Sequence, residues 1–155
     1  MGAHSRQEIE QAFARYQEVA AACASSGDWS AWSELFTEDA TYVEHFFGRF
    51  QGRRQIHDWI SSTMSAYPNR LMAPFPVQWH VVDEDRGWVV CCVANVMEDP
   101  GDSGDYRAVN WTLLKYAGGG QWHYEEDIYN PGEFQAMVQA WAEARERSGR
   151  PAGQA

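Results

Sequence analysis

The run Trp-His-Tyr-Glu-Glu-Asp-Ile-Tyr-Asn-Pro at 122–131 alternates in a way that sorts its residues onto two faces of a strand. His123, Glu125, Asp127 and Tyr129 share one face; Trp122, Tyr124, Glu126 and Ile128 share the other. Carboxylates that converge on one cavity raise at least one pKa through desolvation and like charge. A carboxylic acid becomes a useful acid or base near neutral pH in that way. The alternative is an exterior row of solvated carboxylates, as edge strands often carry. Upstream, Tyr42 and Glu44 lie two residues apart on one face of another strand. Burying even a neutral polar group costs ~2–7 kcal/mol unless it is hydrogen-bonded or lines a wet cavity. Glu44 is therefore expected to point inward and His45 outward, the reverse being a solvated polar face. Asn110 and Thr112 share a face opposite Trp111 and Leu113. Tyr16 stands in helical phase with Ile9, Phe13 and Cys23, which leaves pocket and plain core both open.

Other chemistries lack their residues. His57 and His80 have no second ligand at metal spacing, and Cys23, Cys91 and Cys92 form no C-x-x-C pair. Neither a metal, a disulfide framework nor a cofactor is expected. No phosphate loop, nucleophile elbow or dinucleotide fingerprint is present.

The elements that must position these side chains follow from periodicity. Residues 6–25 carry Ile9, Ala12, Phe13, Tyr16, Val19, Ala20 and Cys23 at helical spacing, and Ser25-Ser26-Gly27 ends the helix. Asp28 is placed to cap a short second helix with Trp29, Trp32, Leu35 and Phe36. Residues 40–46 read as a strand. Gly52 opens a third helix to about 66, with Ile56, Trp59, Ile60 and Met64 on one face. Four strands are expected near 77–83, 88–97, 106–116 and 122–129, joined by turns rich in Gly and Asp. Asn130-Pro131 caps a last helix. Helices ahead of an antiparallel meander predict an α+β fold, a curved sheet with helices packed on one face and a pocket between.

The chain has 155 residues, of which 45% are apolar and 14% aromatic, with eight Trp. One domain over 6–147 is expected, with a disordered tail at 148–155. The aromatic surplus suits a pocket, an interface between copies, or both. The net charge of -10 makes nucleic acid and membrane surfaces poor partners. No apolar leader or membrane-length run is present, so a cytoplasmic location is expected.

Several motifs in order resemble the SnoaL-like superfamily, whose cone-shaped fold is shared with nuclear transport factor 2 and ketosteroid isomerase. They are Ala14-Arg15-Tyr16, Gly27-Asp28-Trp29, Leu35 to Thr41, Gly52-Arg53-Arg54-Gln55-Ile56 and Trp122 to Pro131. The resemblance covers about residues 6–142. It implies a pocket with Glu125, Asp127 and Tyr129 facing inward, and Asp127 as the principal acid/base. Tyr16 matches the helical tyrosine that steadies an enolate oxygen in ketosteroid isomerase, and Glu44 matches its proton-shuttling carboxylate. That enzyme's oxyanion Asp is missing; Asn110 is the donor available on the corresponding strand. The Asp-Arg-Asp set of epoxide hydrolases is missing too, since Asn130 stands at one position and Arg107 is the one candidate arginine.

The expected function is therefore cofactor-independent isomerisation, cyclisation or dehydration of a small hydrophobic carbonyl compound, polyketide- or steroid-like. Asp127, Glu44 and Tyr16 are the expected catalytic residues; Tyr42, Asn110, Thr112, Glu125, Tyr129 and Trp59 are expected to bind substrate. A non-catalytic binding or assembly domain of the same fold is the alternative. A homodimer is expected through an outer sheet face of Trp88, Val90, Cys92, Trp111, Leu113 and Tyr124.

Overall fold

The computed structural model describes residues 2–150. Helix α1 (Arg6–Ser26) starts where the Ser5 hydroxyl accepts from the Glu8 amide and stops at Gly27. Gly27 takes φ +79°, a left-handed conformation that glycine alone adopts without a Cβ penalty. The helix buries Ile9, Ala12, Phe13, Tyr16 and Cys23 along one stripe, the set that its periodicity picks out. After the four-residue α2 (Ser30–Ser33) come β1 (Phe36–Glu44) and β2 (Gly48–Gln51). Asp28 accepts from the Ser30 amide, so it serves the start of α2 although Trp29 occupies the cap position itself.

Helix α3 (Arg53–Ser65) and a short 3-10 turn (Asn69–Leu71) lead into β3 (Val77–Asp83), β4 (Trp88–Val96), β5 (Arg107–Gly118) and β6 (Gln121–Ile128). Helix α4 (Pro131–Arg147) closes the chain, its first turn capped by the Asn130 side chain. Of the tail expected at 148–155, Ser148, Gly149 and Arg150 bond back to the last turn of α4; residues 151–155 lie outside the described residues.

The six strands form one mixed sheet in the order β2-β1-β6-β5-β4-β3. Strands β3 to β6 make the expected antiparallel meander. The sheet is not antiparallel throughout: β1 and β6 run parallel. A parallel pair needs a long crossover, and the chain between β1 and β6 supplies one in β2, α3 and the rest of the meander. Strand β2 also went unread in the sequence, where Gly48 and Arg49 mask it; it pairs with β1 as a short hairpin.

A second irregularity reverses an expectation. In β5 and β6, Lys115 faces Tyr124 but Tyr116 faces Trp122, so His123 is an extra residue in the ladder. Trp122 turns inward and is fully buried, while His123 is exposed. Simple alternation put them the other way round. Beyond the bulge the alternation holds.

Helices α1, α3 and α4 lie against β3, β1 and β5. The core they enclose centres on Phe13, Phe36, Ile56, Leu114 and Trp122. Burying each such side chain stabilises the fold by ~1.5–3 kcal/mol before entropy is counted. A smaller cluster of Met72, Met97, Ala108, Met137 and Trp141 anchors α4, with the Trp141 indole donating to the Glu98 carbonyl at 2.8 Å. The other sheet face carries the rows Trp79–Cys92–Trp111–Ile128 and Val81–Val90–Leu113–Glu126. Trp79, Val81, Trp111 and Ile128 are exposed on it.

Candidate active site

Strand register brings the site together. Glu44 pairs with Asp127 across β1 and β6, Asp127 with Thr112 across β6 and β5, and Tyr42 with Glu125 in the adjacent row. All five point to the helix-covered face, where they line a cavity of about 790 Å³. Tyr16 reaches it from α1, Trp29 and Trp32 from α2, Trp59 from α3 and Phe134 from α4. Phe46, Phe47 and Tyr67 line it while remaining exposed, which marks its mouth between the β1–β2 turn, the segment after α3 and the exposed Gln135 and Gln139 of α4.

Asp127 is the most heavily held group. One oxygen accepts from the Thr112 hydroxyl at 2.5 Å and from the Asn110 amide at 3.2 Å; the other accepts from the Tyr42 hydroxyl. Donors favour the ionised carboxylate, yet desolvation outweighs them and pushes Asp127 up to about 6, with Glu44 and Glu126 adding repulsion. Glu125 accepts from Tyr16 at 2.8 Å and is only 2% exposed. Burial first, then the neighbouring Asp127 charge, raise it well above the usual carboxyl range. Burial and these two carboxylates likewise raise the Tyr16 and Tyr42 hydroxyls. Tyr129 is raised by desolvation and by Glu44.

Glu44 points inward as expected and is 3% exposed. One of its oxygens accepts from the amides of Phe46 and Phe47 at 3.1 and 2.5 Å, which ties down the β1–β2 turn. Its other oxygen is buried and makes no hydrogen bond of ordinary geometry; the Tyr129 hydroxyl is the donor beside Glu44. His45 points outward, 2.8 Å from Glu126. Trp59 packs on Phe50 and Tyr42, with its indole nitrogen buried and unpartnered.

Asn110 departs from its expected part as a free oxyanion donor. Its amide nitrogen is occupied by Thr112 and Asp127, and its oxygen accepts from Asn95 at 2.7 Å. It holds Asp127 rather than offering a vacant donor. Asn95 was missed in the sequence reading, though a lone amide on the apolar strand Trp88–Val96 was a readable signal, since buried amides need partners. The aromatic mouth was missed because Phe46 and Phe47 sit in a turn, where no periodicity marks their direction. Among the described residues, no group of three His, Cys, Asp or Glu is arranged to hold a metal, and no helix is long and apolar enough to cross a membrane.

Known structures share this fold. A candidate isomerase from Bacillus subtilis superposes with a TM-score of 0.67 at 16% identity, covering 84% of this chain and 95% of that one. An NTF2-like protein from Anabaena variabilis gives 0.64 at 13% identity, with coverages of 84% and 95%. A Catenulispora acidiphila protein of ketosteroid isomerase-like fold, in complex with trimethylamine, gives 0.55 at 21% identity, with coverages of 98% and 99%. At these identities the likeness is one of fold. No curated protein sequence matches the chain significantly. The profile of the SnoaL-like domain matches residues 2–126, and the chain belongs to that family.

Proposed function

We propose that the protein is a cofactor-independent acid/base enzyme that isomerises, cyclises or dehydrates a small hydrophobic carbonyl compound. The observation that carries this reading is the environment of Asp127. Of the three carboxyl side chains lining the cavity, Glu44 and Glu125 are almost wholly occluded, whereas Asp127 keeps accessible surface. Its carboxyl, raised to about 6, is ionised at neutral pH yet close enough to it to give a proton back, which suits a group that both takes and returns one.

In this reading Asp127 removes a proton beside the substrate carbonyl and redelivers it elsewhere on the same molecule. Thr112, Tyr42 and Asn110 hold the carboxylate in place. Glu44, opposite Asp127 in register, is the second carboxylate. The negative charge that develops on the carbonyl oxygen needs a donor. Tyr16 is suited to this part: it lines the cavity, its hydroxyl is held in its neutral, donating form by burial and by Glu125, and it donates to Glu125 at 2.8 Å.

The test is turnover of a panel of β,γ-unsaturated cyclic ketones, followed by the absorbance of the conjugated products. For any substrate found, Asp127→Asn keeps the size and removes the proton chemistry, so kcat should fall roughly 10²–10⁴-fold. KM should move much less, because the apolar walls remain. Parental turnover by Asp127→Asn would remove Asp127 from the mechanism.

A further inference from the structure

Glu44 has almost no surface to offer a ligand. It is 3% exposed. One oxygen accepts from the amides of Phe46 and Phe47 at 3.1 and 2.5 Å, and the other is buried, with the Tyr129 hydroxyl beside the carboxyl group. Buried polar groups are committed to the partners they have, and the partners here form two sides of the cavity mouth. The two amides belong to the β1–β2 turn. Tyr129, just beyond β6, packs its ring on Phe134 of α4 with centroids 4.7 Å apart.

The turn is held differently from the rest of the wall. Phe46 and Phe47 line the cavity yet are 66% and 50% exposed. They meet each other edge to face at 5.1 Å, and Phe47 reaches Trp59 of α3 at 6.1 Å. Behind them β2 is a four-residue edge strand whose one sheet partner is β1. Such sparsely packed edge segments open at low cost in free energy. Gly48 ends the turn at φ +119° with open space around it, which gives the backbone the freedom a hinge needs. Exposed rings at the mouth of a cavity gain apolar burial when something apolar fills the space they border.

We propose that the Phe46–Phe47 turn is a gate on the cavity and that Glu44 is the positioning residue that sets its closed state. The two rings settle against a hydrophobic ligand once it is inside and swing outward to release it. The inference rests on the reading of the cavity as the substrate site. It gives Glu44 a part in admitting and retaining substrate, while proton transfer stays with Asp127.

A gate and a fixed wall differ in kinetics: removing a gate speeds entry and exit, whereas removing a wall speeds exit alone. The probe is 6-propionyl-2-(dimethylamino)naphthalene, a neutral bicyclic ketone whose fluorescence reports apolar surroundings, mixed with the protein in a stopped-flow instrument. The double variant Phe46→Ala, Phe47→Ala should raise the dissociation rate constant about tenfold and the association rate constant about threefold or more. Glu44→Ala should act likewise, and adding it to the double variant should bring less than about a further twofold, because the same turn is lost both times. Glu44→Gln keeps an acceptor oxygen for the two amides and should hold both rate constants within about twofold of the unaltered protein. Faster dissociation with unchanged association means a fixed wall and overturns the proposal. So do unchanged rates in the Phe variant, a fully additive Glu44→Ala effect, a Glu44→Gln protein that behaves as Glu44→Ala, or no saturable binding of the probe. Phe46 and Phe47 are exposed, so their variant decides the gate even where Glu44→Ala does not fold. Gate kinetics in a protein without ketone turnover leave the gate standing and remove the acid/base reading; Asp127-dependent turnover with fixed-wall kinetics does the reverse.

Discussion

Burial and hydrogen bonding pull the Asp127 carboxyl in opposite directions, and burial wins, raising it from 3.8 to about 6. That has a cost in stability with a definite sign. Below about pH 4 the group is protonated in folded and unfolded chains alike and contributes nothing. As pH rises from about 4 to 6 the unfolded chain ionises first, so stability falls, and the loss is complete above about 6. A shift of about two units corresponds to about 3 kcal/mol, and Glu125, also raised, acts in the same direction. Asp127→Asn should therefore stabilise the protein by about 1–3 kcal/mol at pH 8 and by little at pH 4, as read from urea denaturation at the two pH values. The same residue-level logic applies to Thr112, whose hydroxyl favours the ionised form. Thr112→Val should raise the pKa of Asp127 by about half a unit to one unit. In a pH profile of kcat/KM the rising limb would move up by that amount, an effect that packing loss alone would not produce.

At the scale of elements, α4 closes one side of the cavity mouth, and its start depends on one side chain. Asn130 accepts from the Gly132 amide at 3.0 Å. Asn130→Ala should cost about 1 kcal/mol in chemical denaturation and weaken ligand binding at the Phe134 wall. The Asn130-Pro131 pair announces this helix in the sequence, as Gly27 announces the end of α1, because caps are local chemistry. Helix faces and the meander were legible for the same reason: periods of 3.6 and 2 are written in apolar residues such as Phe13, Ile56 and Leu114. Alternation put Glu125 and Asp127 on one face of β6 and Tyr42 and Glu44 on one face of β1; that the β6 face is the inner one came from the family resemblance, since alternation alone left a solvated exterior row open. What was not legible depends on pairing between distant segments. Nothing local to Phe36–Glu44 says that it lies parallel to β6, and nothing local to His123 says that it is a bulge, since both are decided by the partner strand. The Asn95–Asn110–Asp127 chain is hidden for the same reason, because it joins three strands.

For the whole molecule, the outer sheet face remains open. We propose that a second copy of the chain covers it. The rows Trp79–Cys92–Trp111–Ile128 and Val81–Val90–Leu113–Glu126 lie beside a row that carries Asp83 and Lys115, an apolar patch with charge at its edge. Four large apolar residues are exposed on this one face, Trp79 and Val81 on β3, Trp111 on β5 and Ile128 on β6, and a twofold contact matches such a patch to itself. Light scattering should give a dimer mass at micromolar concentration, and Trp111→Glu should give a monomer with the fold intact; a monomer mass for the unaltered protein would contradict this. The other face does the chemistry in this account, because sheet and helices together desolvate a carboxylate without sealing it off. The most direct test is the titration of Asp127 itself by carbon-13 NMR of side-chain carboxyl groups, with the resonance identified by its loss in Asp127→Asn. A midpoint at about 6 is the predicted result. A midpoint near the ordinary value of about 4 would mean a well-solvated carboxylate, and would contradict the claim that the cavity tunes Asp127 for proton transfer.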